Sequence, residues 1–296
     1  MSQQSFTFSP FIAGFWRLDS WQQTPQQTLA LIQHYLSLGV TCMDHADIYG
    51  EYSCETLFGR ALALEPSLRQ QMQIVTKCGI KPAFGSTPER YVNHYDTGYQ
   101  HILTSVDNSL KALQVDEIDL LLIHRPDPLM NADEVAQAFE QLYQTGKVRH
   151  FGVSNFTPAQ FDLLQSRLDR PLVTNQLEIS PLAMHTLSDG SLDQAQQYRC
   201  PPMAWSCLGG GEIFHSQSEP AKRLRQTLTK IAANHGTDDI SQIIYAWVLA
   251  LPSQPKPIIG SGNPARISAA VASSEITLDR QEWFSIWQAA TGHSVP

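Results

Sequence analysis

"FIAGFWRLDS", residues 11–20, closes a first apolar run with a turn that carries one glycine, Gly14, where a doubly wound dinucleotide-binding sheet would open on G-x-G-x-x-G. Seven similar runs suited to buried strands follow: "VTCMD" from 40, "MQIVTK" from 72, "IDLLLIH" from 118, "VRHFGVS" from 148, "LVTNQ" from 172, "MAWS" from 203 and "KPIIG" from 256. Most lead into segments with helical spacing, such as "PQQTLALIQHYLSL", "CETLFGRALAL", "HILTSVDNSLKAL", "ADEVAQAFEQLYQTG" and "PAQFDLLQSRL". Strands this apolar need cover on both faces, which selects a parallel sheet flanked by helices. Eight strand–helix units without the fingerprint glycines, and without a proline- or serine-rich linker, read as a (β/α)8 TIM barrel of one domain over residues 1–296.

In such barrels the chemistry gathers where strands end. Here the strands end in Asp44, Lys77, His124, Ser154–Asn155, Gln176, Trp205–Ser206 and Gly260. The stretch "TCMDHADIYGEYSCE", residues 41–55, leaves its strand through Asp44, His45, Asp47, Tyr49 and Tyr52. A phenol titrates at about 10 and is a poor acid at neutral pH until a nearby cation favours its anion. Lys77 is suited to be that cation, Asp44 to keep the lysine charged and oriented, and His124 to hold a carbonyl oxygen between itself and Tyr49. Singly, each residue has a plainer reading as a helix cap, a packed rim residue or a structural histidine. Together, at the ends of strands two, three and four, they suit a proton donor to a carbonyl undergoing reduction.

These residues resemble the aldo-keto reductases. In that family a strand-end Asp is followed five positions later by the catalytic Tyr, which implies Asp44 with Tyr49 rather than Tyr52. The lysine of "IVTKCG" and the histidine of "LLLIHRPD" complete an implied catalytic set of Asp44, Tyr49, Lys77 and His124. "GKVRHFGVSNF" is similar to the motif whose Ser and Asn bind the nicotinamide carboxamide, here Ser154 and Asn155. Gln176 of "TNQLEISP" shares that task, and Trp205 of "MAWSCLGGG" stands where an aromatic stacks on the nicotinamide ring.

The resemblance further implies NADP (NADPH) as cofactor. Its diphosphate would meet backbone amides of residues 206–211, with Ser206, Cys207, Leu208, Gly209 and Gly210 as contacts and three glycines permitting close approach. Gly14, Trp16 and Arg17 after the first strand, and Gly260, Ser261, Gly262 and Arg266 of "PIIGSGNPARI", complete the implied set, with Arg266 on the 2'-phosphate. Two departures stand out: Gly260 replaces a phosphate-binding Lys, and Ala269 and Ala270 replace a Glu-Asn pair that contacts adenine. The loops "WRLDSW", "CGIKPAFGSTPERYVNHYDTGY" and "GGGEIFHSQSEP" would surround the pocket; their aromatics, Trp16 and Phe84 among them, suit a carbonyl compound with an apolar body.

Composition bounds the alternatives. A formal net charge of -8 over 296 residues offers no extended basic surface for nucleic acid or an anionic membrane. The five scattered cysteines suit reduced thiols in the cytoplasm. "MSQQSFTFSPFIAGFW" does not resemble a signal peptide, and the longest apolar stretch, "IIYAWVLAL", is far shorter than a membrane span. Neither H-E-x-x-H nor paired strand-end histidines occur, so no metal is expected. A small-molecule carbonyl substrate, no nucleic acid and no membrane are the expected partners, with oligomeric state left open. Two other functions compete: a Schiff-base aldolase or lyase using Lys77 as nucleophile, which leaves Ser154, Asn155 and Trp205 idle, and a non-enzymatic NADPH-binding regulatory partner.

Overall fold

The computed structural model describes residues 6–84 and 89–295. Among these residues ten strands occur: β1 (Ile12–Gly14), β2 (Cys42–Asp44), β3 (Gln73–Cys78), β4 (Ile80–Lys81), β5 (His94–Tyr95), β6 (Ile118–Ile123), β7 (Val148–Ser154), β8 (Leu172–Glu178), β9 (Met203–Trp205) and β10 (Lys256–Ile259). All eight apolar runs of the sequence are strands, in the order β1-β10-β9-β8-β7-β6-β3-β2 of a (β/α)8 barrel. The remaining two, β4 and β5, form a short antiparallel hairpin with Ile80 opposite Tyr95. By packing, the chain divides into two compact units, residues 1–176 with 260–262, and residues 177–259 with 263–296.

In the first unit the parallel register decides what faces inward. Gly14 pairs with Asp44 and Asp44 with Val75; Lys77 pairs with Leu122, and Ser154 with Gln176. Side chains alternate with a period of two along a strand. Lys77 therefore shares a face with Val75, and His124, two residues beyond Leu122, shares a face with it. The pairing runs past the strand ends, because the His45 amide donates to the Val75 carbonyl at 2.8 Å and the Asp47 amide to the Lys77 carbonyl at 3.1 Å.

The helices begin where local chemistry predicts. Thr24 and Gln27 form a capping box ahead of Pro25, and Thr157 and Gln160 do the same ahead of Pro158. Gly59, an unusual residue mid-helix, permits close approach: a Cβ there would lie 2.2 Å from the Ala112 carbonyl oxygen of helix Tyr99–Leu113.

In the second unit β9 and β10 pair in parallel, with Met203 opposite Lys256. Helix Ile240–Leu249 joins helix Arg280–Thr291 through Trp247 and Trp283, whose rings stack 4.9 Å apart and whose indole N–H groups each donate to the other's carbonyl at 3.2 and 3.1 Å. All five cysteines are buried and unbridged, and no helix of the described residues is long and apolar enough to cross a membrane.

Candidate active site

The segment after β2 explains how the site is built. Tyr49 is followed by three residues in the left-handed region: Gly50 (φ 58), Glu51 (φ 51) and Tyr52 (φ 71). For Glu51 and Tyr52 this conformation is strained, which is a feature of functional turns. A side chain at Gly50 would collide with Ser53 Oγ at 2.6 Å and Cys54 Sγ at 2.8 Å. The turn closes as the Ser53 and Cys54 amides donate to the Tyr49 carbonyl at 3.1 and 3.2 Å, leading into helix Cys54–Leu62.

The polar residues at the end of β2 and in the turn after it separate by role. Lys77 is fully buried, and its Nζ lies 2.9 Å from both oxygens of Asp44 and donates to the His45 carbonyl at 2.6 Å and to the Tyr49 hydroxyl at 3.0 Å. An ammonium has three donors, and three acceptor groups meet it here. Burial alone pulls the Lys77 pKa down, but Asp44 and Tyr49 outweigh it and the lysine stays charged. Burial pushes Asp44 up, opposed by Lys77 and by Gln176, whose Nε2 donates to Asp44 Oδ1 at 2.9 Å. With two donors on it, the carboxylate persists as the lysine's ion partner.

For Tyr49 the net direction differs from the expectation that a neighbouring cation favours the anion. Burial raises the phenol and Asp44 adds to this, outweighing the lowering from Lys77 and from Arg125. The hydroxyl is therefore held protonated, its oxygen accepting from Lys77. His124 packs edge-on to the Tyr49 ring at 5.7 Å. Burial, then Lys77 and Arg125, hold its pKa well below the usual imidazole value, and its buried Nδ1 has no hydrogen-bond partner among the described residues. A neutral imidazole beside a protonated phenol presents two uncharged groups able to donate to one oxygen. Arg125, which immediately follows His124, acts electrostatically on both; sequence reading passed over it, though its adjacency was the available signal.

His45 and Asp47 lie outside this set. The His45 ring stacks on Phe15 at 4.9 Å and meets Phe58 edge-on at 4.4 Å, with neither nitrogen hydrogen-bonded among the described residues, and burial holds its pKa at about 3. Asp47 is buried with Glu55 nearby, and burial followed by that neighbour's charge pushes its pKa well up. Glu55 accepts from the Thr76 hydroxyl at 2.6 Å. Tyr52 accepts at its hydroxyl from Arg90 at 2.7 Å and meets Phe84 edge-on at 6.0 Å. Within the loop after β3, residues 85–88 lie outside the described residues.

The candidate cofactor residues fall in both units. In the first, Asn155 Nδ2 donates to Ser154 Oγ at 2.8 Å, while Ser154 Oγ and the Asn155 amide donate to the Gln176 carbonyl at 3.1 and 2.9 Å. These three are brought together, and Asn155 stands at φ 59 just past β7. Gly14 is buried on β1; Trp16 is 59 % exposed, with the Arg17 guanidinium 5.2 Å from its ring. The Ser261 carbonyl accepts from the Tyr35 hydroxyl at 3.0 Å, and a side chain at Gly262 would strike the Trp21 ring at 2.8 Å. No described atom lies within 4 Å of where a Cβ on Gly260 would sit.

In the second unit Ser206 (φ 52), Gly209 (φ 60), Gly210 (φ 64) and Gly211 (φ 100) follow Trp205 in left-handed conformations. Two of the amides expected to meet a diphosphate are committed to the loop, Gly209 to the Ser206 carbonyl at 2.7 Å and Gly211 to the Leu208 carbonyl at 3.1 Å. The Cys207 thiol is buried, donates to the Ala204 carbonyl at 3.3 Å and is pushed up to about 12, so it offers only its main chain. Nothing described lies within 4 Å of a Cβ built on Gly210, which leaves open space there. Arg266 is exposed in the first turn of helix Pro264–Ala272, whose cap Asn263 accepts from the Ala265 and Arg266 amides.

Comparison with known proteins bears on all of this. The sequence profile of the Aldo/keto reductase family matches residues 10–290. Oxidoreductase YdhF of Escherichia coli strain K12 is 54% identical over 296 residues, covering 100% of this chain and 98% of that protein. A 6-dehydroglucose reductase of Agrobacterium fabrum is 42% identical over 97% of this chain and 96% of its own length. Among solved structures, the thermostable aldo-keto reductase Tm1743, determined with the inhibitor epalrestat, superposes with a TM-score of 0.81 at 25% identity, covering 98% of each chain.

Proposed function

The chain belongs to the aldo/keto reductase family and is an oxidoreductase acting on small carbonyl compounds with a nicotinamide cofactor; from that premise we propose that it reduces aldehydes or ketones with NADPH, that Tyr49 is the proton donor, and that Asp44, Lys77 and His124 complete the catalytic set. The observation that carries this is the chain of contacts from Asp44 through Lys77 Nζ to the Tyr49 hydroxyl, 2.9 and 3.0 Å long. When bound, the nicotinamide supplies the hydride. The protein's part is to position the carbonyl and to deliver a proton. Neutral His124 and protonated Tyr49 donate to the carbonyl oxygen; as that oxygen gains charge the phenol releases its proton, and the buried Lys77 ammonium stabilises the phenolate left behind.

Ser154, Asn155 and Gln176 would hold the carboxamide, and Trp205 the face of the ring. Ser206, Leu208 and Gly210, with the main chain of Cys207, would meet the diphosphate, with open space at Gly210 for close approach. Gly14, Trp16, Arg17, Gly260, Ser261 and Gly262 complete the proposed contacts. A single barrel domain over residues 1–296 and a cytoplasmic setting belong to the same reading. The relative named 6-dehydroglucose reductase argues for including hexose-derived aldehydes in any substrate panel.

NADPH rather than NADH rests on Arg266, exposed beside the helix start, with Gly260 removing a second cation. A charge-assisted contact to phosphate predicts that Arg266→Ala weakens NADPH binding by about tenfold to a hundredfold and leaves NADH nearly unchanged. Titration of both cofactors by tryptophan fluorescence checks this. Equal losses for the two would remove Arg266 from 2'-phosphate recognition.

A further inference from the structure

The Asp44 carboxylate is almost wholly buried, and a buried carboxylate persists only if donors satisfy it. One set of donors comes from Lys77. The other is the side-chain amide of Gln176, at 2.9 Å, a residue 132 positions away that is itself 3 % exposed. Its backbone is fixed from the β7 side, since the Gln176 carbonyl receives both the Ser154 hydroxyl and the Asn155 amide. The side chain that sequence reading gave to the cofactor alone is thus engaged with the catalytic set.

We propose that Gln176 is a positioning residue for proton transfer: by donating to Asp44 Oδ1 it fixes the carboxylate that holds Lys77 against Tyr49, and so links the end of β8 to the proton donor. This rests on the catalytic set proposed above. Because one amide nitrogen donates to Asp44, the orientation of the group is set, with Nε2 toward the carboxylate. Any contact Gln176 makes with a nicotinamide carboxamide is therefore made by a side chain already anchored to the acid–base chain.

The sign of the effect follows. Donation from Gln176 favours ionised Asp44, so its removal raises the pH at which Asp44 takes up a proton and releases Lys77. Other groups acting on this chain are Tyr49 on Lys77 and Arg125 on Tyr49. Gln176→Met keeps length and removes the donor. It should lower kcat by about tenfold to a hundredfold and move the acidic limb of the kcat profile upward by about one pH unit. Gln176→Glu should behave oppositely along the pH axis. Protonated at low pH, it still donates to Asp44; ionised at higher pH, it repels Asp44, so its activity relative to wild type should rise as pH falls.

Cofactor-free protein gives a readout independent of turnover. Burial already raises Asp44, and a carboxyl raised on folding loses stability as pH climbs from its unfolded to its folded value. The deficit in Tm of Gln176→Met against wild type should therefore grow as pH rises above the ordinary carboxylate range, whereas a packing defect gives a constant deficit. Measuring kcat profiles, cofactor affinity and Tm for both variants, with Tyr49→Phe alongside, settles the matter. Shifted limbs of opposite sense and a pH-dependent deficit support the linkage. Wild-type limbs and a constant Tm deficit, with only cofactor affinity reduced, would overturn it. Full turnover by Tyr49→Phe would instead defeat the proton-donor assignment, and that outcome does not depend on Gln176.

Discussion

Lys77 shows how one residue's surroundings choose between two chemistries. A lysine at a barrel strand end is equally the nucleophile of a Schiff-base aldolase, and attack on a carbonyl needs the uncharged amine. Here Nζ donates to Asp44, the His45 carbonyl and Tyr49, and the acidic neighbours keep it charged despite complete burial. Its lone pair is committed to a proton. Borohydride added with a carbonyl substrate should consequently leave Lys77 unmodified by mass spectrometry. A stable adduct mapping to Lys77 would favour the aldolase mechanism over hydride transfer. From sequence these four were readable as candidates, because a carboxylate, a phenol, an amine and an imidazole at successive strand ends have few joint uses. The protonation of Tyr49 was not: it is the balance of burial and one anion against two cations, and burial is a property of the assembled fold.

At the level of the element, the segment from Asp44 to Cys54 both delivers Tyr49 and buries two groups that carry no assigned chemistry. His45 sits between Phe15 and Phe58 with its pKa lowered to about 3, first by burial and then by Lys77. A lowered imidazole contributes stability that is complete above its unfolded value near 6.5 and lost on acidification, about 1.4 kcal/mol for each pH unit below it. Asp47 runs the other way. Its raised pKa means that the neutral acid fits the site, so stability is lost as pH rises above the ordinary carboxylate range. Thermal unfolding between about pH 4 and pH 8 should find His45→Leu flattened on the acid side and Asp47→Asn gaining on wild type as pH rises. Parallel curves for all three proteins would show that neither group titrates as described. The eight main strands were readable from their apolar runs, whereas two-residue β4 and β5 carry too little pattern to be seen. Nor could the Gly59 packing contact or the Gln176–Asp44 bond be read, since each joins chain segments far apart in sequence.

For the whole molecule, strand order and family agree on a (β/α)8 oxidoreductase, and the missing G-x-G-x-x-G is a property of that architecture rather than a gap in the site. In the proposed mechanism this barrel reduces carbonyls by a proton from Tyr49, with Tyr52 three residues later serving the Arg90 contact instead. NADPH oxidation by wild type, Tyr49→Phe and Tyr52→Phe, followed on a carbonyl substrate with cofactor affinity measured in parallel, tests it most directly. The predicted result is a loss of kcat by about a hundredfold or more in Tyr49→Phe with cofactor affinity retained, and near-normal turnover in Tyr52→Phe. Near-normal kcat in Tyr49→Phe, with Tyr52→Phe inactive, would contradict the account.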